Sequence, residues 1–168
     1  MAENSADDSQ TALMHAVKAG YVQTVESLLD GGATVNQHGL DGSTPLMIAA
    51  QEGHAETLAL LLRRGAAVDA TKEGGLTALM LAVMFSRTRV AQLLLEAGAP
   101  VDQADEEGTT PLMLAAEAGN TDALALLLRW GAVPERARTD GTTALLQAVN
   151  YNHDEAIAIL TTAARPRT

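Results

Sequence analysis

Apolar residues in this chain fall in blocks that return at a fixed interval. In the stretch from Asp41 to Gly65, DGSTPLMIAAQEGHAETLALLLRRG, Asp-Gly marks a turn, Thr44-Pro45 opens a helix and Gly53 closes it. A second, Leu-rich helix follows and ends at Gly65. The block recurs every 33 residues, so that Thr11, Thr44, Thr77, Thr110 and Thr143 share one register, as do Gly32, Gly65, Gly98 and Gly131. Leu13, Leu46, Leu79, Leu112 and Leu145 stand two places after each Thr, and Ala16, Ala49, Ala82, Ala115 and Ala148 stand three further on. The Leu series supplies buried area, at about 25 cal/mol per Å² of apolar surface. The Ala series lets neighbouring backbones approach closely. Leu28-Leu29, Leu61-Leu62, Leu94-Leu95 and Leu127-Leu128 form the other wall of the core, on the second helices. No block can bury both walls alone, so a repeat of this length predicts a solenoid stabilised between neighbours.

Local signals sharpen the helix boundaries. Each Thr is placed to cap the helix it precedes, its hydroxyl accepting an otherwise unpaired backbone N–H of the first turn. Pro45 and Pro111 occupy the first helical position, where a missing N–H does no harm, and Ala12, Ala78 and Ala144 fill that slot elsewhere. In the first block the helices are expected over Thr11 to Ala19 and Tyr21 to Leu29. Solenoid ends need a wettable outer face. Ser27 replaces the first Leu of its triplet and Thr161 the last of its own, so both end blocks read as caps and the array as complete. Met1 to Asp7 is polar and acidic, and Pro166 forbids continuation of the last helix. Residues 1–7 and 165–168 are expected to be disordered.

The period, together with the order turn, Thr-Pro-Leu, helix, Gly, helix, Gly-Ala, resembles the ankyrin repeat. The resemblance spans about Asp8 to Ala164, with repeats at roughly 8–36, 41–69, 74–102, 107–135 and 140–164 of a single domain over 8–164. It implies an all-α solenoid of five helix-turn-helix units with short β-hairpin-like connections. One departure is consistent: where the family usually has His after Thr-Pro-Leu, this chain has Met14, Met47, Met80, Met113 and Leu146. An apolar contact is expected to replace the hydrogen-bonded Thr and His pair of the family. The repeats differ too much for an idealised consensus, and the Met-bearing variant resembles bacterial arrays.

Composition narrows the classes. The chain is 47% hydrophobic but only 2% aromatic, which suits thin, closely stacked helices. It contains no Cys, which removes disulfides, thiolate metal sites and Cys nucleophiles together. The formal net charge is -10, from 21 acidic against 11 basic residues, and an acidic surface repels phosphate backbones and anionic lipid heads. The reading is therefore a soluble, cytoplasmic protein that binds neither nucleic acid nor membrane; the first residues lack a secretory pattern and no apolar run reaches a membrane span.

Catalytic chemistry finds no footing. His54 and His153 share one repeat position three periods apart and cannot converge, and the family often places His there for structural reasons. There is no G-x-S-x-G, no Gly-rich phosphate loop and no H-E-x-x-H. Asp102, Asp105, Glu106 and Glu107 fall in an exposed connection whose spacing is not that of an EF-hand. No catalytic residue, cofactor or metal is assigned, and the chain reads as a non-enzyme.

Recognition is the remaining expectation. Family partners commonly meet the hairpin tips and the positions seven and eight places after each Thr. In this chain those are Lys18 and Ala19, Gln51 and Glu52, Met84 and Phe85, Glu117 and Ala118, and Asn150 and Tyr151. The middle pair alone is large and apolar, and Phe85 is the only Phe, which makes it an anchor for a partner protein, flanked by Leu76 and Tyr151. The alternative is a ring folded over the turn at Ser86, which replaces the Gly of other repeats. Glu73, Glu106 and Glu107 make one side of the patch acidic, while Arg87 and Arg89 lie just past Ser86. The expected partner-binding set is thus Met84, Phe85, Leu76, Gln51, Glu52, Glu73, Glu106, Glu117, Asn150 and Tyr151. A monomer is expected, with weak self-association through Trp130 or the Met84 and Phe85 patch as the rival, and a ligand or metal binder as a more distant one.

Overall fold

The computed structural model describes residues 12–164 of the 168-residue chain. The expectations for 1–7 and 165–168, and the cap at Thr11, lie outside the described residues. The helices follow in pairs: α1 (12–19) with α2 (Val22–Asp30), α3 (Pro45–Glu52) with α4 (Ala55–Arg63), α5 (Ala78–Met84) with α6 (Thr88–Glu96), α7 (Pro111–Glu117) with α8 (Thr121–Arg129), and α9 (Ala144–Asn150) with α10 (Asp154–Ala163). From α3 onward, first helices stack on first helices and second on second, while the two helices of each pair pack together. The result is an all-α solenoid with one core running from Leu13 to Leu160.

The Thr residues start the first helices as the sequence requires. The hydroxyls of Thr44, Thr77, Thr110 and Thr143 accept the backbone N–H of Met47, Met80, Met113 and Leu146 at 3.3, 3.2, 3.4 and 3.3 Å. Met47 does more than fill space. Its Sδ accepts the Thr44 N–H at 3.4 Å, a weak sulfur bond where an apolar contact alone was expected. At the other end of each pair, the N–H of Ala33, Ala66, Ala99 and Ala132 reaches back to the carbonyl of Leu28, Leu61, Leu94 and Leu127. That bond needs a left-handed residue before the Ala, and Gly65 supplies it with φ 86°.

The connections between pairs are turns rather than strands. Among the described residues the ladder contacts are the isolated antiparallel bridges Thr71 with Thr77 and Ala137 with Thr143. Each turn closes on a backbone bond: Gly39 N–H to Ser43, Lys72 to Leu76, Asp105 to Thr109 and Arg138 to Thr142. Neighbouring tips then bond sideways, Glu73 N–H to the Asp41 carbonyl, Glu106 to Gly74 and Thr139 to Glu107. A row of fingers is thereby held beside the first helices.

The Thr77 cap sits in the middle of the stack, where its loss cannot be absorbed by fraying. Thr77→Ala is expected to lower stability by about 1 kcal/mol in urea denaturation, with helical content unchanged.

Candidate protein-interaction surface

The residue just after the turn of each pair stitches that pair to the one before. His54 Nε2–H donates to the Lys18 carbonyl at 3.0 Å, Arg87 Nε–H to the Gln51 carbonyl at 3.1 Å, and His153 Nε2–H to the Glu117 carbonyl at 2.9 Å. A carbonyl can only accept, which fixes the proton of both histidines on Nε2. Each stitching side chain lies flat on the turn residue of the preceding pair. A Cβ added at Gly20, Gly53 or Gly119 would come within 2.9, 2.8 and 2.6 Å of His54, Arg87 and His153. These glycines are required twice over, by positive φ and by the neighbour lying on them.

The junction between the third and fourth pairs departs from this rule on both sides. Ser86 takes the glycine position at φ 55°, and its Cβ occupies the space where a ring would lie. The facing residue is Asn120, which turns inward to accept the Ala123 N–H at 3.0 Å and caps its own helix. The two departures are one change: a side chain that does not reach back tolerates a Cβ beneath it.

Directly above this unstitched junction lie Met84 and Phe85, each 44% exposed. Phe85 is the C-cap of α5, its N–H bonded to the Leu81 carbonyl, and the ring is not withdrawn into the core by the Ser86 turn. Leu76 is half-buried in the adjoining finger. Gln51 and Glu52 are half-buried and line a groove of about 290 Å³. Its floor is Met14 and Ile48, with Lys18 beside them and Asp41, Ser43 and Lys72 of the fingers opposite. Glu73 and Glu106 are exposed on the finger tips, and Asn150 is exposed at the end of α9.

Glu117 and Tyr151 do not stand free. The Glu117 carboxylate accepts from Gln147 Nε2 at 3.2 Å and from the Tyr151 hydroxyl at 3.3 Å. The Tyr151 ring stacks on His153 with centroids 6.3 Å apart. These residues brace the last junction. Leu40, which the sequence reading passed over, is fully exposed on the first finger, at the position held by Glu73 and Glu106 in later ones. An apolar residue at a tip where the period otherwise puts Glu73, Glu106 and Thr139 was the signal available.

The acidic residues of the connections serve mainly as turn builders. Asp105 Oδ1 accepts the N–H of Glu107 and Thr109, Asp102 accepts the Val133 N–H at 3.2 Å, and Glu107 pairs with Arg138. Asp41 accepts the Ser43 hydroxyl at 2.7 Å and Lys72 Nζ at 3.0 Å. The Ser43 hydroxyl first, then Lys72, hold the Asp41 carboxyl well below the usual carboxylate range. Among the described residues no group of three His, Asp or Glu is arranged to hold a metal ion, and no helix is long and apolar enough to cross a membrane.

Stacked helix pairs, a row of laterally bonded fingers and an open face between them define a helical-repeat solenoid with a long exposed surface. The family model described as ankyrin repeats (3 copies) matches residues 13–105, 57–138 and 98–167, and the chain belongs to the ankyrin repeat family. A search of curated proteins found no significant match.

Two measurements follow from this geometry. Asn120→His alone should destabilise, because the ring meets the Ser86 Cβ and the helix loses its cap; Ser86→Gly alone should be mildly stabilising by relief of positive φ. Combined, they should exceed the sum of the single changes by at least about 0.5 kcal/mol in urea denaturation; additive values would show that the stitch carries no energy. For Asp41 the folded pKa is depressed, so its contribution is present above the unfolded value of about 3.9 and fades as pH falls below it. The stability gap between wild type and Asp41→Asn should therefore narrow on acidification, and a constant gap would contradict the pairing.

Proposed function

We propose that this chain is a non-catalytic protein-binding module that grips a partner protein between its finger tips and the exposed face of its first helices. It acts in the cytoplasm as an adaptor, inhibitor or assembly factor. Ankyrin repeats are in general protein-protein interaction modules, and that is the background to the reading. The observation that carries it is the exposed pair Met84 and Phe85 in the middle of the row. At the same two positions the other pairs offer Lys18 and Ala19, Gln51 and Glu52, Glu117 and Ala118, and Asn150 and Tyr151.

An aromatic ring beside a pliable thioether is the kind of anchor that dominates protein interfaces, provided surrounding contacts exclude water. Leu76, half-buried in the finger that leads into α5, and the fully exposed Leu40 one finger away are further apolar positions. Glu52, Glu73 and Glu106 surround it with negative charge, which favours a basic partner surface and speeds encounter at low salt. The partner's chemistry is then an apolar side chain set among Lys or Arg.

Phe85→Glu tests the reading. The side chain is already on the surface, so circular dichroism and the unfolding midpoint should stay close to wild type. Affinity for a partner captured from the cell of origin should fall at least tenfold, about 1.4 kcal/mol. A partner bound within a factor of about two of wild type, under roughly 0.5 kcal/mol, would rule out this patch as the anchor.

A further inference from the structure

The junctions between neighbouring pairs are tied unequally. Between the first and second pairs run the His54 bond to the Lys18 carbonyl and the ion pairs of Arg64 with Glu26 and Asp30. Asn36 adds to them by accepting the Ala67 N–H and donating to the Gly65 carbonyl. The second and third pairs are tied by Arg87 on the Gln51 carbonyl, by Lys72 with Asp41 and by the Glu73 N–H on the Asp41 carbonyl. The fourth and fifth are tied most heavily: His153 donates to the Glu117 carbonyl, Gln147 and Tyr151 donate to its carboxylate, and Arg138 pairs with Glu107.

The junction between the third and fourth pairs is the exception. Among the described residues no ion pair crosses it. What remains is the Val133 N–H on Asp102 and the Glu106 N–H on the Gly74 carbonyl. The Met84 carbonyl holds the place of the Lys18, Gln51 and Glu117 carbonyls, but Asn120 has turned inward and sends it no donor. Ser86 adds strain, because it carries a Cβ in the left-handed region at φ 55°. Packing follows the same order, with α7 less extensively packed on α5 than α5 is on α3 or α9 on α7.

We infer that the stack parts at this junction, giving a form in which the first three pairs stay folded while α7 to α10 unfold together. In a repeat array each interface contributes separately, so the array opens where neighbours hold each other least. The three pairs on one side meet the minimum of about three repeats that such a stack needs, and the two on the other fall short of it. Bracing through Glu117 makes those two leave as one unit rather than one after the other. Met84 and Phe85 lie on the side that stays folded. The opening needs no partner, but on the function proposed above, a partner reaching from this pair to α7 binds the closed form alone and draws the equilibrium towards it.

Trp130, the only Trp, is the C-cap of α8 and reports the unit that leaves, whereas circular dichroism reports every pair. In urea the full chain should lose its Trp130 signal at a lower concentration than the helical signal that outlasts it. By native-state hydrogen exchange, amides of α7 to α9 should share one level of protection, at least about tenfold below that of α3 to α5. Ser86→Gly with Asn120→His supplies a donor to the Met84 carbonyl and should merge the two transitions and erase the step in protection. Asp102→Ala, which removes one of the remaining bonds, should part the transitions further. The inference is overturned by coincident Trp130 and helical transitions in wild type, by α9 exchanging early while α7 and α8 keep the protection of α5, as in fraying of an end, or by a step that the double variant leaves in place.

Discussion

Close approach of one first helix to the next is the constraint on which this molecule depends. Ala49, Ala82, Ala115 and Ala148 are completely buried at that contact. A larger side chain at any of them would push two pairs apart and open the row of Leu46, Leu79 and Leu112 behind it. Because each inner pair has an apolar wall on both sides, no inner pair is stable without its neighbours, and cohesion is a chain of similar interfaces rather than one central core. The Thr hydroxyls bond at helix starts, the turn aspartates bond within their turns, and His and Arg side chains reach one pair back, while the buried Thr57 hydroxyl has no partner.

Those backward-reaching side chains explain why small departures come in couples. Gly53 is needed because Arg87 lies on it, and Gly119 because His153 lies on it. Where Ser86 stands instead, the facing Asn120 has withdrawn to cap α8. The large apolar pair on the open face therefore sits over the junction that lacks this polar tie, and the two pairs there are held by core packing, by Asp102 on the Val133 N–H and by the finger bond from Glu106 to Gly74. A partner seated on Met84 and Phe85 would rest on the least cross-braced part of the first-helix layer.

The open face and the outer side of α9 differ in chemistry as well as in place. On the face of Met84 and Phe85 the neighbouring repeats carry carboxylates, the half-buried Glu52 and the exposed Glu73 and Glu106. On α9 the exposed Leu146 and Val149 hold positions that are core in earlier pairs. Both are exposed apolar area, but one is framed by charge and the other by the pattern of the stack.

Periodicity by itself determined the helical solenoid, the helix starts at the Thr residues, the glycines that end helices, and the buried Leu and Ala series. All of these depend on neighbours a fixed distance along the chain, so a one-dimensional pattern carries them. It also singled out Met84 and Phe85, because a departure from a period is itself visible in one dimension. What only the tertiary structure decided is which departures remain in contact with water. Tyr151 stays 53% exposed while its hydroxyl bonds to the half-buried Glu117, and Gln147 and His153 join them across a junction. Leu40 projects fully from its finger, and Leu146 and Val149 are exposed although their counterparts are core. The physical reason is that exposure belongs to a residue's surroundings: a repeat position is buried when another helix lies on it, and the sequence of that position cannot say whether one does.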